Sequence, residues 1–318
     1  MSDFRLFDRL TRDAAGERRA LVDGLLAKHA AIPPKYFYDG VGCALFGAIC
    51  ELPEYYPTRT ERAIFTHHRA DIAASIGPDR QFVDLGAGDC CKAESWLPFV
   101  APSRYIAVDI AGDALAGALA RMAPEFPELE LTGIIADFTQ GLDLRSDLNG
   151  NPSLFFYPGS SIGNFTPDEA LRFLSDIHLH CVAAPGSGLL IGVDTKKSPE
   201  RLTAAYDDAL GVTGAFNRNV LRHVNRLLRT RFDPLGFAHV AFYDARLGRI
   251  EMHLEARWPQ EIVINDVARR FAEGELIHTE HSYKYAPSEF TAMLQQAGFA
   301  HVDCWQDRDG DFAVYYAA

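Results

Sequence analysis

The sequence predicts an α/β protein organised on a mostly parallel sheet, with a second α+β module inserted into it. Three observations lead there. First, apolar runs at 81–85, 105–109, 129–136, 154–159 and 188–194 alternate with stretches that read as helices. Near-continuous apolar strands separated by helices are what a parallel sheet covered on both faces requires. Second, the earliest of these runs ends at Asp84-Leu85 and leads into Gly86-Ala87-Gly88 and a candidate helix start. Two glycines let backbone turn sharply close to a ligand, and the helix that follows offers unpaired N–H groups. Third, the alternation stops after 194 and resumes at Pro287, ending in runs at 300–306 and 312–317 across the turn-rich Asp307-Arg308-Asp309-Gly310-Asp311. That is an antiparallel hairpin closing the sheet.

Taken in order, 14–30 reads as an amphipathic helix carrying Leu21, Leu25 and Leu26, and Pro33-Pro34 ends it. An aromatic segment, Lys35-Tyr36-Phe37-Tyr38-Asp39-Gly40, precedes a short helix at 44–50. The proline-bounded Leu52-Pro53-Glu54-Tyr55-Tyr56-Pro57 then leads to a helix beginning near Thr60. In the sheet, the run at 154–159 leads to a helix opened by Thr166-Pro167-Asp168-Glu169. Within the insertion, 199–230 reads as helical. Runs at 239–243 and 249–254 form a hairpin around Asp244–Gly248, and 262–264 is a further strand. A helix from Pro287 to Gln296 ends at Gly298, a fitting C-cap.

Composition limits the function. A net charge of −12 over 318 residues, with no basic stripe, excludes a nucleic-acid partner and favours a small molecule. No apolar run reaches the length needed to cross a bilayer, and the first residues, Met1-Ser2-Asp3-Phe4-Arg5, lack the apolar core of a leader. Six sparse cysteines without metal-ligand spacing read as reduced thiols of a cytoplasmic protein, and a monomer is expected. No histidine pair has metal spacing either, so no metal is expected.

Three carboxylates, Asp84, Asp109 and Asp137, fall at successive strand ends, where such sheets bind ligands. One alone would read as a helix cap. Position 91 is Cys91 where a dinucleotide fingerprint has its third glycine, which weakens a dehydrogenase reading. The missing glycine, the acid after the third strand and the closing hairpin together point to a Rossmann-like methyltransferase sheet that uses S-adenosylmethionine.

Several longer motifs narrow this further. Tyr36-Phe37-Tyr38-Asp39, the stretch from Leu52 to Glu61, Ser161-Ile162-Gly163-Asn164-Phe165, Ala205-Tyr206-Asp207-Asp208-Ala209, Phe216-Asn217-Arg218-Asn219-Val220, Arg249-Ile250-Glu251-Met252 and Thr279-Glu280-His281-Ser282 occur in order from about Ile32 to the C-terminus. In these the chain resembles the histidine-specific Nα-methyltransferase family of ergothioneine biosynthesis. The family converts L-histidine to hercynine by three methyl transfers from S-adenosylmethionine. The resemblance implies that Gly86, Lys92, Asp109, Asp137 and Phe138 bind S-adenosylmethionine, with Tyr38 bordering that site. It implies Tyr55, Asn164, Tyr206, Glu280 and Ser282 for histidine, with Gly159 near the amine and Met252 lining the imidazole pocket. It also implies a substrate-binding domain of 1–60 plus 196–285 and a methyltransferase domain of 61–195 plus 286–318.

Cys90-Cys91 depart from the family, which has small hydroxyl residues and an acid between the glycine loop and Lys92. Related fungal enzymes methylate a prenylated tryptophan amine, so a tryptophan derivative is the alternative substrate. Glu280 and Ser282 favour histidine, because an acid and a hydroxyl suit two imidazole nitrogens and an indole offers one donor only. Methyl transfer is an in-line displacement in which positioning does most of the work, so no residue is assigned as an essential base. Without the resemblance, Asn164 reads as a helix cap, Tyr206 as core packing and Glu280 with Ser282 as a loop or strand edge.

Overall fold

The computed structural model describes residues 4–9 and 14–318, the side chains of Ala14 and Gln140 excepted. The expectations for residues 1–3 and 10–13 lie outside the described residues. The strands, in chain order, begin with β1 (Phe4–Asp8), β2 (Ala30–Ala31), β3 (Gln81–Leu85), β4 (Arg104–Asp109), β5 (Glu130–Ile135), β6 (Ser153–Tyr157) and β7 (Gly188–Asp194). They continue with β8 (Phe237–Asp244), β9 (Arg249–Ala256), β10 (Gln260–Ile264), β11 (Val267–Phe271), β12 (Leu276–Tyr283), β13 (Val302–Gln306) and β14 (Phe312–Ala317). The chain divides into two compact units. One holds β1, Arg59–Thr195 and Tyr285–Ala318; the other holds the rest of the N-terminal segment to Thr58 together with Lys196–Lys284.

The first unit carries a sheet in the order β1-β5-β4-β3-β6-β7-β14-β13. Every neighbouring pair from β1 to β7 is parallel, whereas β14 runs antiparallel to β7 and β13 antiparallel to β14. This is the expected α/β class. All residues of β3, β6 and β7 are buried, which is why these strands are apolar almost without interruption. The strand order reverses between β3 and β6, so the loops leaving the carboxyl ends of these two strands flank the switch point where such sheets take ligands, with the ends of β4 and β5 next along the same edge. Thr166 and Glu169 form a capping box for the helix Pro167–Ala183, and Gly298 ends the helix Pro287–Ala297 at φ +117°.

The second unit carries a four-stranded sheet, β2-β12-β9-β8, and the β10–β11 hairpin. Helix Val212–Leu228 buries Phe216, Val220 and Val224 at helical spacing in a core shared with Leu25, Phe37, Phe237, Leu254 and Ile277. Two of the motifs quoted above meet here. Asp39 caps the helix Gly40–Cys50 through the Gly42 N–H at 2.7 Å, and its carboxylate also accepts from Asn219 Nδ2 at 2.8 Å and from Arg226. These donors hold the Asp39 carboxyl below its ordinary range against the opposing effect of burial, the largest single influence on it. Phe37 stacks on Phe216 with centroids 4.5 Å apart.

Four local expectations change. The first helix ends at Leu26, and Ala30–Ala31 instead pair in parallel with β12. The helical stretch 199–230 is two helices, Pro199–Tyr206 and Val212–Leu228. Gly211 between them is left-handed at φ +74°, and the Asp208 carboxylate caps the second helix through the N–H groups of Val212 and Thr213, at 2.9 and 2.7 Å. Residues 262–264 belong to a longer strand that pairs with β11. Finally, 1–60 is not one piece. β1 pairs with β5 in the first unit, and because four of its five residues are exposed its sequence carries no burial pattern.

Candidate active site

The glycine turn of the first unit is held by its neighbour strand. Gly86 and Gly88 adopt φ +70° and +54°, and the N–H groups of Gly86 and Ala87 donate to the Val108 carbonyl at 2.9 and 3.2 Å. Asp109 ties loop to helix: Oδ2 accepts from Gly88 N at 2.8 Å and Oδ1 from Ala111 N at 2.7 Å. Each oxygen keeps a second lone pair, the acceptor a pair of sugar hydroxyls needs. Asp137 caps the short turn Phe138–Gln140 through the Thr139 N–H at 3.0 Å. Phe138 packs edge-on to Tyr157 with centroids 5.9 Å apart, and a Cβ added at Gly86 would sit 3.8 Å from the Phe138 ring. An open glycine turn, a half-buried aromatic ring and two half-buried carboxylates fit an adenosine-bearing methyl donor. Asp84 differs from the other two strand-end acids. It is buried and accepts from Tyr105 Oη at 2.7 Å, and burial pushes its carboxyl up to about 7 against that hydrogen bond.

Lys92 is not a free surface residue. Its Nζ donates to Glu61 Oε2 at 2.7 Å, and Glu61 Oε1 accepts the Gly159 N–H at 2.6 Å. Glu61, buried on the helix Tyr56–His67, therefore clamps two expected site residues that lie 67 positions apart in the chain. A Cβ at Gly192 would come within 2.0 Å of Glu61 Oε1, so the clamp depends on a glycine in β7. Gly159 itself is left-handed at φ +80°, and the next residue, Ser160, accepts the Asp194 N–H at 2.8 Å, fixing the turn after β6. Sequence reasoning missed Glu61 as a site residue; only its place at the end of the Leu52–Glu61 motif pointed to it. Asn164 ends the turn Ser161–Asn164, half-buried, and does not serve as the helix cap because Thr166 does.

The remaining expected residues all lie in the second unit. Tyr38, Phe46, Tyr55 and Tyr206 make a chain of edge-on rings, with successive centroids 5.9, 6.3 and 6.2 Å apart. Burial, with Tyr206 beside it, pushes the Tyr55 hydroxyl well above its usual range, so it remains a donor. On the sheet, Met252 of β9 stands directly opposite Glu280 of β12, and Ile250 opposite Ser282. A bulge makes this possible. Ile277 pairs with the core-facing Leu254, and the register slips between His278 and Glu280, where Thr279 Oγ1 donates to the Met252 carbonyl at 3.0 Å. Strict alternation from Ile277 would turn Glu280 and Ser282 to the other face; the extra residue restores them to the side of Met252.

Glu280 is buried, and among the described residues its carboxyl takes no hydrogen bond. Burial pushes it up to about 7, with the Lys284 ammonium acting in the opposite direction. Tyr206 Oη donates to Ser282 Oγ at 3.0 Å. Lys284, also buried, donates from Nζ to both Tyr206 Oη and Ser282 Oγ at 2.9 Å. Tyr206 is anchored from behind: Asn217 Nδ2 donates to His239 Nδ1 at 2.8 Å, leaving His239 Nε2–H to donate to the Tyr206 carbonyl at 2.8 Å. Burial lowers the His239 pKa, which keeps the ring neutral for this relay. Lys284, Asn217 and His239 were not singled out from the sequence, although Asn217 lies in a quoted motif.

Comparison with known proteins adds the following. A sequence model of histidine-specific, S-adenosylmethionine-dependent methyltransferases matches residues 17–318. The histidine N-alpha-methyltransferase of Mycolicibacterium smegmatis is 40% identical over 316 residues, covering 97% of each chain. That of Mycobacterium tuberculosis is 37% identical over 307 residues, covering 95% of this chain and 94% of the relative. Ergothioneine biosynthesis protein 1 of Neurospora crassa is 29% identical over 283 residues, covering 86% of this chain and 32% of that longer protein. With a family match over residues 17–318 and two relatives 40% and 37% identical over nearly their whole length, the chain belongs to the histidine-specific, S-adenosylmethionine-dependent methyltransferases.

Proposed function

We propose that this protein transfers methyl groups from S-adenosylmethionine to the α-amine of L-histidine and repeats the transfer until the amine is trimethylated, giving hercynine for ergothioneine biosynthesis. The observation that carries the reading is Glu280: a buried carboxyl without a protein hydrogen bond, on one sheet face with Ser282 and Met252. A carboxyl left unpaired in such a place is costly unless a ligand supplies the partner, and an imidazole N–H does so.

When bound, S-adenosylmethionine supplies an electrophilic methyl group on sulfur. Gly86, Asp109, Asp137 and Phe138 hold its adenosine portion, and Lys92, oriented by Glu61, meets its amino-acid end. Tyr38 keeps its expected role beside the donor. Asn164 holds the histidine carboxylate, Tyr55, Glu280 and Ser282 hold the imidazole with Tyr206 bonded to Ser282, and Met252 packs on the ring. Gly159 lies toward the amine. The amine reacts in its neutral form, and no side chain is assigned as an essential base. Holding the reacting amine in line is worth several orders of magnitude in rate by itself. The protein is expected to work as a cytoplasmic monomer without a metal; among the described residues no helix is long and apolar enough to cross a membrane.

The test is incubation with S-adenosylmethionine and a panel of amino acids, read by mass spectrometry. Histidine carrying one, two and finally three added methyl groups is the expected result. Methylation of a tryptophan derivative with histidine untouched would overturn the reading.

A further inference from the structure

Lys284 is fully buried in the second unit, immediately after β12, and its ammonium sits in a triangle with two hydroxyls. Nζ lies 2.9 Å from Tyr206 Oη and 2.9 Å from Ser282 Oγ, and the two oxygens are 3.0 Å apart. An ammonium has donors only, so both oxygens accept from it. The bond between the two hydroxyls holds a single proton. A phenol is far more acidic than an alcohol, so Tyr206 donates and Ser282 accepts. Ser282 Oγ then takes two hydrogen bonds, which uses both of its lone pairs. What remains is one O–H proton on a side chain that is 3% exposed, with no acceptor for it among the described residues.

We propose that Lys284 is a positioning residue for substrate selection: it fixes the Ser282 hydroxyl as a pure donor, so that the site takes a ring bearing an acceptor nitrogen. The inference rests on the histidine reading above and deepens it. With Ser282 donating and the Glu280 carboxylate accepting, a neutral imidazole fits in one tautomer, its bare nitrogen toward Ser282 and its N–H toward Glu280. A ring with an N–H and no acceptor leaves the Ser282 proton buried and unmet, which costs binding. Without the ammonium, Ser282 regains a free lone pair and can accept from a ring N–H as readily as it donates. Selection between the two kinds of ring then weakens.

Calorimetry on the full chain tests this with three ligands: L-histidine, 3-(4-thiazolyl)-L-alanine, whose ring nitrogen only accepts, and 3-(2-pyrrolyl)-L-alanine, whose ring nitrogen only donates. Lys284→Met is expected to weaken histidine and the thiazolyl analogue by about tenfold, one charge-assisted hydrogen bond's worth, and to leave the pyrrolyl analogue unchanged or improved. In the Ser282→Ala background, Lys284→Met should add less than about twofold, because residues that act through one another are not additive. Equal losses on all three ligands, or full additivity with Ser282→Ala, would show a purely structural lysine and overturn the proposal. Should Lys284→Met fail to fold, Tyr206→Phe removes the other donor to Ser282 and must shift the thiazolyl-to-pyrrolyl preference in the same direction; an unchanged preference overturns the proposal. Wild-type protein that binds no histidine would sink the functional reading itself, whereas wild-type binding with an unmoved preference in Lys284→Met sinks only the role of Lys284.

Discussion

The two units present their functional groups in different ways. In the first, the groups assigned to the methyl donor are mostly turn and loop residues at the carboxyl ends of parallel strands: Gly86, Asp109, Asp137 and Phe138, with Gly159 of the next such turn assigned to the substrate amine. Much of the work there is done by backbone, with Gly88 and Gly159 N–H groups held on Asp109 and Glu61. In the second, Met252, Glu280 and Ser282 project from one face of an antiparallel sheet, and Tyr206 reaches them from the end of a helix. Backbone turns tolerate changes of side chain so long as their conformation survives. A sheet face does not, because each position points one way and its partners are fixed by register. Substitutions should therefore act more selectively in the second unit and more through shape in the first.

The largest expected effect is at Glu280. Glu280→Ala should lower kcat/KM for histidine by roughly 10- to 100-fold through KM, the loss of a hydrogen bond to a charged group, while calorimetry shows S-adenosylmethionine affinity within about twofold of wild type. An equal loss for both ligands would erase the division of labour between the units. The same residue fixes a pH dependence. Burial raises its carboxyl to about 7, so below that pH it is protonated and no longer a charged acceptor. KM for histidine should fall as pH rises from 6 to 8, and Glu280→Gln should remove that inflection. A folded-state pKa above the ordinary 4.5 of this carboxyl stabilises the ligand-free fold at low pH and loses that contribution as pH rises from 4.5 through 7. Thermal melts of ligand-free wild type and Glu280→Gln should accordingly converge at low pH and separate above 7, with the variant higher.

In the first unit the sharper probe is a glycine. Gly192→Ala would place a methyl group 2.0 Å from Glu61 Oε1. Overpacking of this kind costs about 1–3 kcal/mol of stability, and the displaced clamp on Lys92 and Gly159 should weaken S-adenosylmethionine binding by about tenfold. A variant that melts earlier but binds the donor normally would separate Glu61 from cofactor binding. The smallest effect is expected at Cys91, where the chain departs from its family. Its side chain is exposed, and Cys91→Ser should change donor affinity by less than about twofold. A larger change would mean that the unusual loop sequence reports on the cofactor after all.

Sequence alone carried the first unit further than the second, and the reason is physical. Apolar runs such as Leu154-Phe155-Phe156-Tyr157 are strands because both faces are covered, and the covering helices keep the period legible. The edge strand β1 left no such trace, since only Phe4 of its residues is even half-buried. The residues assigned to the cofactor announced themselves by position, at strand ends after glycine. Those assigned to the substrate did not. Glu280 and Ser282 look like a solvated loop, and only the order of several short motifs marked them. Glu61 and Lys284 stayed hidden because charged residues default to the surface in any reading of one sequence. Their partners, Lys92 for one and Tyr206 with Ser282 for the other, are supplied by the fold.

The bulge at Thr279 gives β12 something like a reading frame. Ile277 and Glu280 share a face because three positions, an odd number, separate them across the register slip. Ironing the bulge out with Thr279 retained, so that Thr279 pairs with Met252, would leave every residue of the strand chemically intact while handing the recognition surface to Thr279, His281 and Tyr283 and sending Glu280 and Ser282 to the far side. A lineage of such enzymes could change its ligand by a slip of one position in this pairing, with no substitution at any residue assigned to the substrate.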